Sequence, residues 1–203
     1  MTKQTETITK ETIAQSMDYE QYRTFIAERL ENNQSTGTNH SEMMVGYTDL
    51  NEKRMKRLDK TVKLTPEISA TLQNIKTPLI WLVLTEGWCG DAAQTVPIMA
   101  KMAAETPNID LQLIFRDENL AIMDEFLTNG GRSIPKLIVL NKETLEVLGS
   151  WGSRPIGAQE LFSNAKNSPD FNYPDVQKAL QLWYAKDKTL GTQKELIELI
   201  KAL

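Results

Sequence analysis

The sequence predicts an α/β fold: a mixed sheet of about four to five strands flanked by helices, with extra helices at both ends. Three observations predict it. Apolar, strand-like runs at 79–85 and 109–116 bracket a helical segment at 91–104, so these two strands are parallel and joined by a crossover. Two further runs, 136–140 and 145–150, are separated by Asn141-Lys142-Glu143-Thr144, a hairpin-length turn that makes them antiparallel. Outside this block, in 16–76 and 174–203, the apolar residues recur at helical spacing.

Taken in order, residues 1–15 are rich in Thr, Gln and Glu and are expected to be disordered or loosely attached. Ser16 serves as the N-cap of a helix with Tyr19, Tyr22, Ile26 and Leu30 on one stripe, broken by Asn32-Asn33-Gln34-Ser35-Thr36-Gly37. A second helix starts after Ser41 and runs to Lys60, with Met43, Tyr47, Leu50 and Leu58 as its apolar stripe. Lys53, Arg54, Lys56, Arg57 and Lys60 make its second half basic, which reads either as a solvated face favoured by the helix dipole or as a positive wall beside a reactive group. A short third helix has Thr65 as N-cap and Pro66 as its first residue, with Ile68, Leu72 and Ile75 inward. Residues 16–76 are thus a helical extension expected to pack on a domain spanning 77–203. Within that domain, helices are expected at 119–128, ended by Asn129-Gly130-Gly131, and at 156–166, 174–186 and 192–202, the last with Thr192 and Glu195 in capping-box spacing.

Composition narrows the function. The 203 residues, 40% hydrophobic, suffice for one core. No run approaches the roughly 20 apolar residues of a membrane helix, and Met1-Thr2-Lys3-Gln4-Thr5-Glu6 is not an apolar signal region, so a cytoplasmic protein is expected. One cysteine excludes an intrachain disulfide and fits a reducing compartment. The net charge of −4 weighs against nucleic acid as a partner. His40 is single and lies in a polar loop, so no metal or other cofactor is expected. The expected partners are protein or small-molecule thiols and disulfides, without membrane association.

The chemistry centres on Trp88-Cys89-Gly90-Asp91-Ala92, which places the cysteine between an apolar strand and a helix start. A second thiol three residues on would resolve a mixed disulfide, but that position is Ala92. A helix N-terminus lowers a thiol pKa from ~8.5 toward ~7, whereas Asp91 opposes the thiolate unless it caps the helix and faces away. Against reactivity stands the usual role of a lone cysteine as a small buried hydrophobe. Trp88 reads as a half-exposed wall beside the sulfur, and Trp81, Trp151 and Trp183 as core. Pro135 either holds the Ile134 peptide cis and presents its backbone to an extended partner or marks a turn before a strand.

Three motifs fall in one order: Trp88-Cys89-Gly90, then Pro97 eight residues beyond the cysteine, then Arg132-Ser133-Ile134-Pro135-Lys136-Leu137. Over 79–167 they resemble the thioredoxin family, and in particular a bacterial group with a helical N-terminal extension and a Trp-Cys-Gly-Asp-Ala motif. The resemblance implies a thioredoxin-like fold, Cys89 as the nucleophile, a helix kinked at Pro97, and a substrate groove formed by Trp88, Gly90, Asp91, Ile134 and cis-Pro135. Gly149 and Gly152 lie near the family's late-strand glycines. The departures are coherent: the resolving cysteine is Ala92, the buried acid six positions before the nucleophile is Val83, and its lysine partner is Leu113. Two functions follow. One is a monothiol oxidoreductase in which Cys89 exchanges with mixed disulfides and an external thiol releases it. The other is a redox-inactive binding or adaptor module that uses the groove beside Pro135. Peroxide reduction fits less well, because the chain holds no resolving cysteine.

Overall fold

The computed structural model describes residues 5–203. Four strands form one sheet: β1 (Leu79–Thr85), β2 (Ile109–Phe115), β3 (Lys136–Asn141) and β4 (Val147–Gly152), in the order β2-β1-β3-β4. β1 is central and buried along its whole length, as its unbroken apolar run requires. It runs parallel to β2, with Leu79 opposite Ile109, and antiparallel to β3, with Leu79 opposite Asn141. The mixed sheet and the β3–β4 hairpin match the sequence expectation, although β4 begins two residues late because Leu145 takes a left-handed conformation in the turn.

Nine helices surround the sheet among the described residues: α1 (Lys10–Ala14), α2 (Tyr19–Glu31), α3 (Glu42–Thr61), α4 (Pro66–Gln73), α5 (Ala92–Ala103), α6 (Leu120–Glu125), α7 (Ile156–Lys166), α8 (Tyr173–Asp187) and α9 (Leu190–Lys201). One continuous core takes Tyr22 and Ile26 from α2, Met55 and Leu58 from α3, Leu72 from α4, all four strands, and Leu196 and Ile197 from α9. The N-terminal helices therefore share the core of the sheet. Arg23 ties α2 to α3 through Glu52 at 2.7 Å and through Asp59. Ala158, Val176, Leu180 and Tyr184 of α7 and α8 form a second, smaller cluster.

The structure corrects several local readings. Residues 5–15 are not loose: Ile8 is only 4% exposed, α1 is capped by Thr9, and Met17 pairs with Leu113. Residues 1–4 of that expectation lie outside the described part. The cap of α2 is Asp18, whose carboxylate accepts from Gln21 N–H at 2.8 Å, and Ser16 instead bonds Gln112. The inward face of α3 is Thr48, Asn51, Met55 and Leu58, while Met43 and Leu50 are exposed. Thr48 and Asn51 are buried because they satisfy Ser35 and the Gly87 carbonyl, so hydrophobicity alone misread the stripe. α6 stops at Glu125, where Phe126 leaves the helical region at φ −126°, and Asn129 and Gly130 adopt positive φ in a separate tight turn closed by Thr128 and Gly131. α9 starts at Leu190, so Thr192 is already buried within it and Glu195 points elsewhere. Trp183 is half-buried in the α7–α8 cluster, edge-on to Tyr184 at 5.4 Å, rather than in the main core.

Candidate functional site

The end of β1 and the start of α5 present Cys89 to the segment before β3. Its backbone N–H donates to the Glu86 carbonyl at 3.1 Å, closing the turn that carries it. The thiol donates to the Ile134 carbonyl at 3.4 Å and accepts the Ala92 N–H at 3.4 Å. The Ile134–Pro135 peptide is cis, so Cys89, Ile134 and Pro135 form one contact. The residue is only 8% exposed. Burial first and the Asp91 charge second push the thiol up to about 12, outweighing the amides of Ala92 and Asp91 and the Arg154 guanidinium that pull it down. The helix start alone therefore does not activate this sulfur, because desolvation of the anion outweighs it.

Asp91 makes no cap to α5. One carboxylate oxygen accepts from the Tyr184 hydroxyl at 2.8 Å and the other pairs with Arg154 at 2.7 Å. Burial raises its pKa, and Arg154 and Tyr184 oppose that rise. A side chain at Gly90 would meet Gln181 Nε2 at 3.5 Å and Arg54 Nη1 at 3.6 Å, so α8 and α3 approach the thiol loop from two sides. Trp88 is half-buried, with the Arg116 guanidinium 4.9 Å from its ring centre. Arg116 also donates to the Arg132 carbonyl at 3.3 Å, linking Trp88 to the strand approach of Ile134.

Of the α3 cations, Arg54 reaches this site, whereas Lys53, Lys56 and Arg57 are exposed. His40 is also exposed. The positions of the family's missing acid and lysine, Val83 and Leu113, lie opposite each other across the parallel pair and are fully buried. An apolar contact fills that place.

Sequence reasoning missed three groups. Arg154 and Tyr184 come from the α7–α8 region, more than sixty residues from Cys89, and no local spacing announces them. Glu86 was legible as the one acid between the apolar run and Trp88. It is fully buried, accepts from the Thr36 hydroxyl and, at 3.0 Å, from Asp117 N–H, and burial raises its carboxyl to about 6. A cleft of about 790 Å³ lies beyond Arg154, lined by Trp151, Gly152, Gln159, Lys194 and Glu195, and Cys89 does not open into it. Among the described residues no group of three acidic, His or Cys side chains could hold a metal ion.

Comparison with known proteins fits this geometry. A protein of unknown function from Pseudomonas aeruginosa, solved as a crystal structure, superposes with a TM-score of 0.59 at 18% identity, over 91% of this chain and 98% of that one. An HIV epitope scaffold, also a crystal structure, gives a TM-score of 0.56 at 18% identity, over 92% and 99% of the two chains. These likenesses show the fold. No curated protein matches the chain. A family model described as thioredoxin matches residues 37–166, more than half the length, and includes Cys89, Pro97 and cis-Pro135; the chain belongs to the thioredoxin family.

Proposed function

We propose that the protein carries out monothiol disulfide exchange through Cys89, with protein or low-molecular-weight mixed disulfides as substrates. One observation supports the reading: the sulfur sits against the backbone of the cis Ile134–Pro135 peptide and receives the Ala92 N–H, the first amide of α5. The thiol loses its proton to solvent, and the thiolate attacks one sulfur of R–S–S–R′, expelling R′S⁻, which takes up a proton. The product is Cys89 joined to R by a disulfide. With Ala92 in the resolving position, an external thiol R″SH completes the cycle, releasing R–S–S–R″ and the Cys89 thiol. A reducing, cytoplasmic setting belongs to this reading and is supported by the single cysteine. No helix among the described residues is long and apolar enough to cross a membrane.

A second reading, a redox-inactive adaptor using the same groove, is favoured by the buried thiol and its pKa of about 12. Bis(2-hydroxyethyl) disulfide separates the two. Exchange chemistry predicts a mercaptoethanol adduct on Cys89 by mass spectrometry, absent in Cys89→Ser, and turnover whose rate follows the concentration of added thiol. No adduct on the wild type after prolonged exposure would overturn exchange in favour of the adaptor.

A further inference from the structure

We infer that the α7–α8 hairpin is a movable cover over Cys89, latched to the start of α5 through Asp91 and Gln94. Its buried side chains, Ala158, Val176, Leu180 and Tyr184, make a cluster of their own, separate from the main core. A unit that keeps its apolar contacts when displaced can open below the cost of global unfolding. Its contacts over the site are polar. Tyr184 donates to Asp91 at 2.8 Å, and Gln94 donates to Gln181 at 2.6 Å. Arg154, whose guanidinium lies 4.3 Å from the Phe162 ring centre, pairs with Asp91 at 2.7 Å. Such contacts are exchanged for water at modest net cost, whereas an apolar interface would not be.

The two ends of the hairpin are its pivots. At one end, Glu195 of α9 holds both the first amide of α7, at Ile156, and the Trp151 indole, each at 2.7 Å. At the other, Lys188 and Thr189 adopt φ of 53° and 72°, two successive left-handed residues that are not glycine. Left-handed backbone at such residues stores strain, and hinges concentrate there. Between these ends Gln181 closes on Gly90, next to a sulfur that is 8% exposed. A partner that binds the open form shifts the population toward it and uncovers the thiol and the groove together. The cover rests on the preceding reading only for its purpose, which is to keep an exchange thiol shielded until a partner engages.

The single cysteine makes the test direct on the full chain. Native-state hydrogen exchange should show the amides of α7 and α8 opening before those of β1. Iodoacetamide labelling of Cys89, followed by mass spectrometry at fixed pH, should speed up about tenfold in Tyr184→Phe, the factor that a loss near 1.4 kcal/mol gives. Leu180→Ala loosens the hairpin from within its own cluster and should accelerate labelling in the same direction, which separates opening from a local change at Asp91. Unchanged labelling in both variants, or hairpin and β1 amides exchanging in one step, would overturn the cover. Hydrogen exchange reports opening without involving the thiol's reactivity, so an absent mercaptoethanol adduct counts against the exchange reading and not against the cover.

Discussion

Glu86 joins three segments of the chain at one carboxylate: Thr36 of the α2–α3 loop donates to it, Asp117 after β2 donates to it, and its own carbonyl holds Cys89. No cation pairs with it directly among the described residues, so desolvation dominates and raises its pKa from 4.5 to about 6. The fold therefore binds this proton more tightly than the unfolded chain does. The stabilisation is complete below pH 4.5 and is lost as pH rises through about 6, on the order of 2 kcal/mol. Urea midpoints measured across that window should fall with rising pH, and Glu86→Gln should flatten the slope. Buried Asp91, whose pKa is also raised, keeps part of it. An equal slope in the variant would assign the dependence elsewhere. The sulfur, its helix and the cis-proline were legible in the sequence because each rests on short spacing. The Asp91–Arg154–Tyr184 cluster was not, because side chains that meet across 63 and 93 residues leave no local pattern. The direction of the Cys89 pKa stayed open in the sequence for the same reason, since the burial that raises it is set by tertiary packing and not by local spacing.

At the scale of elements, the β3–β4 hairpin holds the cis-Pro135 segment in place through the end of β4. Gly152 stands opposite Lys136 with φ +126°, and a Cβ there would lie 2.3 Å from the Pro135 carbonyl oxygen. A backbone atom cannot move aside as a side chain can. Gly149, three residues earlier, differs: its added Cβ would meet Leu199 Cδ1 at 2.9 Å, the far end of a flexible side chain. Gly152→Ala should therefore destabilise by at least about 2 kcal/mol and disturb the Cys89 contact with Ile134, and Gly149→Ala should cost less. Denaturant midpoints of the two variants decide it, and equal losses would show that the close approach to Pro135 does not limit β4. The strands and most helices were legible because an apolar run such as 79–84, or a Thr65-Pro66 start, determines its own structure locally. The α3 stripe was not, because Thr48 and Asn51 are buried for hydrogen bonds rather than for hydrophobicity, and only the neighbouring Ser35 and Gly87 reveal that.

For the molecule as a whole, the N-terminal addition closes one edge of the sheet as well as packing on it. β2 is an edge strand, and an open edge invites pairing with other chains. Here Met17 occupies it, donating to and accepting from Leu113 at 2.9 and 2.7 Å. Ahead of that bridge, Ile8 is buried in the main core, and the hydroxyls of Thr5 and Thr7 bond the Glu125 carboxylate at 2.7 and 2.5 Å. The segment thus clamps α6 and the β2 edge together. Burial of Ile8 contributes about 2 kcal/mol and the two bridge hydrogen bonds about 1 kcal/mol each. Deleting residues 1–17 should therefore lower unfolding stability by several kcal/mol and leave the Leu113 edge open, so that the loss is joined by concentration-dependent association. Ile8→Ala should reproduce the stability loss in part, without the association, because the Met17 bridge remains. Equilibrium unfolding and sedimentation of the two variants separate these effects. A deletion that keeps the wild-type midpoint and stays monomeric would mean that the N-terminal arm rests on the core without supporting it.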